Sequence, residues 1–111
     1  MAKVKYVLLL PLTFNDKSKV PKELRDRIFD DLFRLAGGYH IAGTGKGAYR
    51  MKGGQKQVDD SLEVWVVIEE DAEAELREMV AGFGAELGQE SMYLERTTST
   101  VEFVRPVAVR R

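Results

Sequence analysis

The chain has no cysteine among its 111 residues, which excludes disulfides and thiolate metal ligands. That absence fits a reducing compartment. A single histidine, His40, leaves any metal site to oxygen donors, and no metal or other cofactor is expected. Net charge is nearly absent too: 17 Lys and Arg stand against 18 Asp and Glu, for a balance of -1. No global field therefore draws the chain to nucleic acid or to acidic membranes. Long apolar runs are missing, and nothing approaches the ~20 apolar residues that span a bilayer. The opening MAKVKYVLLLPL has the outline of a signal peptide. Its apolar run is short, however, and no small-residue cleavage site follows before Asn15 and Asp16. A cytoplasmic protein is expected. The length predicts one domain over 1–111 with a short tail at 105–111 and a modest core, so association can help stability.

Glycine, by contrast, is concentrated in one place. Gly37–Lys52 reads GGYHIAGTGKGAYRMK. Side chains of a strand alternate between faces. The odd positions Tyr39, Ile41, Gly43, Gly45, Gly47, Tyr49 and Met51 form an apolar face with glycines at its centre. The even positions His40, Ala42, Thr44, Lys46, Ala48, Arg50 and Lys52 are small, polar or basic. Glycine inside a strand points to a close approach by backbone or ligand. The odd face is expected to meet the helices, with Gly82 and Gly84 opposite.

The remaining elements follow from periodicity. Lys3–Phe14 predicts a first strand with Val4, Tyr6, Leu8, Leu10, Leu12 and Phe14 on one face. Pro11 should cost it pairing on one side. Pro21 opens a helix with Leu24, Ile28, Leu32 and Leu35 as its stripe, widened by Phe29 and Phe33, and Gly37 caps it. Gly53-Gly54-Gln55-Lys56 predicts a hairpin turn, and Asp60–Glu69 the returning strand. Asp71 is the expected N-cap of a second helix, whose apolar face carries Leu76, Met79, Val80, Phe83 and Leu87 and which ends at Gly88. Gln89–Val104 is the last extended segment.

This order predicts an α+β, ferredoxin-like βαββαβ domain: a four-stranded antiparallel sheet with two helices on one face. The other sheet face would carry Val7, Leu9, Ala42, Ala48, Trp65 and Val67 beside His40, Lys46, Arg50 and Glu63. Such a patch exceeds what monomers usually expose. A homodimer through the open sheet face is expected, by two-fold symmetry.

The run LGQESMYL at Leu87–Leu94 follows an amphipathic helix and enters the last strand. With the Gly-rich strand and Asp60-Ser61, it resembles a family of small uncharacterised bacterial proteins. That family carries a Gln-Glu-Ser turn at this junction, here Gln89-Glu90-Ser91. The resemblance implies a ferredoxin-like fold and no particular activity. The topology is also similar to the dimeric α/β-barrel proteins, which include cofactor-poor monooxygenases and small-molecule binders.

Several residues are candidates for chemistry. His40 can act as a general base near neutral pH, or be an ordinary strand histidine. Lys46 and Arg50 can hold a carboxylate or phosphate, with Tyr49 and Trp65 as further ligand-binding residues. GTGKG lacks the spacing and the following helix of a phosphate loop. Glu90 can accept a proton or pair with Arg50. Asp59-Asp60 could join Glu90 at a metal, but a polar turn is the simpler reading. RNA binding on the open face is not expected, since no RNP-type aromatic strand occurs. The expected function is a homodimeric module binding a small anionic ligand on its sheet face. The alternatives are a cofactor-independent enzyme with His40 as base, or an interaction protein using that face only as an interface.

Overall fold

The computed structural model describes residues 2–109. The chain runs β1 (Lys3–Pro11), α1 (Lys22–Ala36), β2 (His40–Arg50), β3 (Lys56–Glu69), a short 3-10 turn (Glu70–Ala72), α2 (Glu73–Glu86) and β4 (Leu94–Thr97). The strands form one sheet in the order β2-β3-β1-β4, antiparallel at every pairing. This is the expected ferredoxin-like α+β fold. Among the described residues no helix is long and apolar enough to cross a membrane.

Strict alternation sets the core. Val4, Tyr6, Leu8 and Leu10 of β1 lie beside Val64, Val66 and Ile68 of β3, all buried. Against them pack Ile28, Phe29 and Leu32 of α1 and Leu76, Val80 and Phe83 of α2. Both helices therefore cover one sheet face. Phe33 departs from the expected stripe: it is 57% exposed, on the rim. Gly37 ends α1 in the left-handed conformation at φ 78, as its position predicts. Asp71, by contrast, is not the N-cap of α2; it sits inside the 3-10 turn, and Ala72 precedes the helix with no side-chain cap. The last strand shrinks from Gln89–Val104 to Leu94–Thr97, because β1 offers partners only from Lys5 to Leu8 on that side. Pro11 accordingly pairs with Ser61 alone.

A four-membered polar cluster fastens β1 to α2 and β4. The Tyr6 hydroxyl donates to Glu73 Oε1 at 2.5 Å and accepts from Arg77 Nη2 at 3.0 Å. Arg96 Nε donates to Glu73 Oε1 at 2.7 Å. The hydrogen bonds from Tyr6 and then from Arg96 hold the Glu73 carboxyl below the usual glutamate range. Burial, followed by the bond to Glu73, pushes the Tyr6 phenol up.

The main departure lies in β2. Pairing shifts by one residue between Ile41 and Gly43, leaving Ala42 as a bulge. A one-residue bulge exchanges the two faces of everything beyond it. His40 pairs with Trp65 on the open face, but after the bulge Gly43, Gly45, Gly47 and Tyr49 lie opposite Glu63, Ser61, Asp59 and Gln57. The glycines thus look away from the helices, and a Cβ at Gly43 or Gly45 would meet nothing within 4 Å. The expected approach of Gly82 and Gly84 to them does not occur; Gly84 instead makes room for Met92. Lys46, Ala48 and Arg50 pass to the helix-side face, opposite Asp60, Val58 and Lys56.

Gly43 itself adopts φ 153, a region that L side chains rarely enter. Gly43→Ala is therefore expected to cost about 1–3 kcal/mol through backbone strain alone. A urea titration will read this as a lower midpoint. An unchanged midpoint would mean that the bulge relaxes to accept a side chain.

Candidate functional site

β1 stops at Pro11, but the β2–β3 hairpin continues well past it. Beside the projecting hairpin, Gln89–Tyr93 leads from the end of α2 into β4. These three pieces line a solvent-open cavity of about 400 Å³. Its floor is Leu9 and Pro11 of β1 with Asp59 and Ser61 of β3. Tyr49, Arg50 and Met51 of the hairpin form one wall, and Glu90, Met92 and Tyr93 the other.

Local sequence explains each placement. The period of two along β3 puts Gln57, Asp59 and Ser61 on the open face with Trp65. Asp59 and Ser61 are the buried polar residues of the domain, at 6% and 9% exposure. Gln57 Nε2 donates to Asp59 Oδ1 at 3.0 Å. Asp59 and Ser61 both line the cavity. On the far wall, Gly88 turns the chain out of α2 at φ 65. Asn15 Nδ2 donates to the Gly88 carbonyl at 3.2 Å, and Gln89 Nε2 donates to Asn15 Oδ1 at 3.2 Å. Glu90 Oε1 accepts the backbone N–H of Lys52 at 2.8 Å, which ties this wall to the hairpin tip. The Tyr93 hydroxyl donates to Glu95 at 2.9 Å, and that bond raises its phenol above the usual tyrosine value. Tyr93 is thus a neutral rim group whose proton is already committed.

The fold gathers Tyr49, Arg50 and Glu90 of the sequence candidates at this cavity and leaves the others outside. Lys46 pairs with Asp60 at 3.0 Å on the opposite face of the hairpin, with its side chain 78% exposed. His40 stacks on Trp65 at 4.7 Å between ring centroids, four β3 positions from Ser61. Lys5 Nζ sits 4.9 Å from the Trp65 centroid. His40 and Lys5 thereby cover Trp65 in part, so it is half-buried like Val7, Leu9 and Val67. The open-face patch is accordingly shallower than the alternation implies. Glu90 bonds to the Lys52 backbone and not to Arg50. Asp59 and Glu90 do share the cavity, while Asp60 turns to Lys46. Among the described residues no three His, Cys, Asp or Glu side chains converge on a metal-sized gap.

Sequence reasoning missed Ser61, Gln57 and Tyr93 as site residues. The one available signal was the row of polar residues at odd positions in an otherwise apolar strand. Chemically, the cavity offers two carboxylates, two tyrosine rings and an apolar floor, while Arg50 borders it from a β2 position on the helix-side face. It suits a small molecule with an apolar or ring portion and hydrogen-bond donors.

No protein-family model and no curated protein sequence matches the chain. Solved structures do match. A phage SAM lyase in complex with S-methyl-5'-thioadenosine is 14% identical with a TM-score of 0.66, over 94% of each chain. The divalent cation tolerance protein CutA1 from Thermus thermophilus is 18% identical with a TM-score of 0.64, covering 91% of this chain and 87% of its own. CutA1 from Oryza sativa is 15% identical with a TM-score of 0.64, covering 95% and 84%. At such identities the likeness establishes architecture alone, and the chain is a small α+β domain of ferredoxin-like fold, similar in structure to CutA1 and to the phage lyase.

Proposed function

We propose that this chain is a small-molecule-binding module whose ligand occupies the cavity between the hairpin, the end of β1 and Gln89–Leu94. The observation that carries this reading is the pair of buried polar residues, Asp59 and Ser61, on the floor of a 400 Å³ cavity. A few polar groups set in a largely apolar lining fix the orientation of a bound small molecule. The volume falls within the usual range for ligand sites, roughly 300–1,000 Å³.

Charge shifts the expected ligand class. Asp59 and Glu90 outnumber Arg50 at the cavity, and Lys46 is engaged elsewhere. The balance supports a neutral or cationic ligand with hydroxyl or amine donors, rather than the anionic one expected from the basic strand. S-methyl-5'-thioadenosine, bound by the phage lyase, is a suitable first probe: it is uncharged and combines a ring, two hydroxyls and an apolar thioether. Self-association of the chain is a separate part of this proposal and uses a surface away from the cavity.

The test is an amide-NMR titration with S-methyl-5'-thioadenosine, with AMP as the anionic counterpart. Saturable shifts at Tyr49, Gln57–Ser61 and Gln89–Leu94 are expected for the neutral nucleoside. Asp59→Asn should weaken binding by about 10- to 100-fold, the range for losing a hydrogen bond to a charged group. Tighter binding of AMP would restore the anionic reading. No shifts at these residues with either compound would count against the nucleoside class and this use of the cavity.

A further inference from the structure

The domain has a radius of gyration of 16.2 Å and extents of 60 × 30 × 23 Å. A compact chain of this length has a radius of about 13 Å. Two projecting pieces account for the excess. One is the β2–β3 hairpin, which runs beyond β1. The other is the segment after β4, which leaves the sheet near Ala2, Lys3 and Glu70.

Both pieces lack partners of a specific kind. β2 is an outermost strand that pairs only with β3, continuously from Gly43 to Arg50. Long edge strands are normally shortened or interrupted by proline. This one has a bulge at Ala42 near its start and a single lysine, Lys46, turned to the other face, and from Gly43 on its alternate glycines leave bare backbone on the open-face side. Val101–Val109 meanwhile alternates with a period of two, with Val101, Phe103, Val107 and Val109 on one side, interrupted by Arg105. Phe103, Val107 and Val109 are 68%, 89% and 81% exposed. Nothing in the core holds them; Phe103 merely lies under Lys3 Nζ at 5.7 Å.

We propose that Val101–Val109 of one copy adds as a strand to the free edge of β2 in a second copy of this chain. The lengths agree: nine extended residues span about 30 Å and the 11 of β2 about 36 Å. The side chains also agree. Gly43, Gly45 and Gly47 present no bulk, and a facing strand of valine and phenylalanine supplies the cover that edge glycines lack. Pro106 fits an added outer strand, where its missing N–H would face solvent. Reciprocal exchange of tails closes a symmetric assembly and buries two such contacts. The proposal is independent of the cavity and its ligand.

Native mass spectrometry with size-exclusion light scattering tests it. The full chain should run as an integer multiple of 12.5 kDa. A chain ending at Thr100 should run as a single copy, and so should Phe103→Asp/Val107→Asp, with a cooperative thermal melt retained and only a small loss of strand signal in far-UV circular dichroism. The double variant guards against a truncation that simply fails to fold, since the altered residues touch no core. Gly45→Lys should weaken association at least 100-fold, by placing a charge under the added strand. A single-copy full chain would overturn the proposal, including the case of a tail folded onto its own domain. An assembly that survives both tail variants would also overturn it, moving the contact to the sheet face. Dissociation by the tail variants with no effect of Gly45→Lys would overturn the assignment to β2.

Discussion

Leu8→Ala is expected to lower the free energy of unfolding by about 2–5 kcal/mol, the range for truncating a fully buried leucine. Leu8 is 0% exposed and sits mid-strand, paired to Val64 on one side and Leu94 on the other. Its side chain belongs to the core cluster formed with residues of both helices, where little can collapse into the vacated space. A domain of this size holds roughly 5–15 kcal/mol in all, so the variant should unfold at a far lower urea concentration and melt many degrees earlier. The neighbouring Leu9 provides the contrast. It points to the open face, is half-buried and borders the cavity. Leu9→Ala should cost no more than about 1 kcal/mol. Equal losses at the two positions would mean that the core does not lie on the helix side alone.

Tyr6→Phe is expected to cost about 1.5–3 kcal/mol, the range for a hydrogen bond to a charged group. The hydroxyl is enclosed, since Tyr6 is 2% exposed, and it bridges Glu73 and Arg77. Phenylalanine keeps the packing and removes the bridge. The same cluster shapes the acid response. Glu73 titrates below its ordinary value in the fold, with the bond from Tyr6 as the leading cause. A depressed carboxyl pKa stabilises the fold above the unfolded value and loses that contribution as pH falls through the folded value. Wild-type stability should therefore decline below about pH 4.5, the ordinary glutamate value. The decline should be shallower in Tyr6→Phe. Urea midpoints at pH 7, 5, 4 and 3 measure both effects together. Parallel pH curves for the two proteins would show that the hydroxyl does not govern Glu73.

Where apolar and polar residues contrast sharply, the sequence was sufficient. Val4, Tyr6, Leu8 and Leu10 could be assigned to one face of β1 because every second neighbour was less apolar at the strand ends. β3 yielded to the same logic from Leu62 to Ile68, and the stripe of α1 was readable through Ile28 and Leu32. Gly37 was recognisable as a cap because a left-handed residue at a helix end is most easily a glycine. These local patterns, in the order strand, helix, strand, strand, helix, strand, determined the ferredoxin-like architecture. Of the site candidates read from the sequence, Tyr49, Arg50 and Glu90 border the proposed cavity, while Lys46, Trp65 and His40 do not.

Tertiary structure decided the rest. β2 has little side-chain contrast, since its alternate positions are glycine, so its pattern could not reveal which face it presents. The bulge at Ala42 then exchanged the faces, sending Lys46 to Asp60 and bringing the glycines to the open side. Asp59, Ser61 and the Gln89–Leu94 wall lie about 30 residues apart in the chain, and only the end of β1 at Pro11 leaves the gap between them. A period of two determines which residues share a face. The cavity required register, the lengths of neighbouring strands and the route of a connecting segment, and those are set by packing between distant parts of the chain.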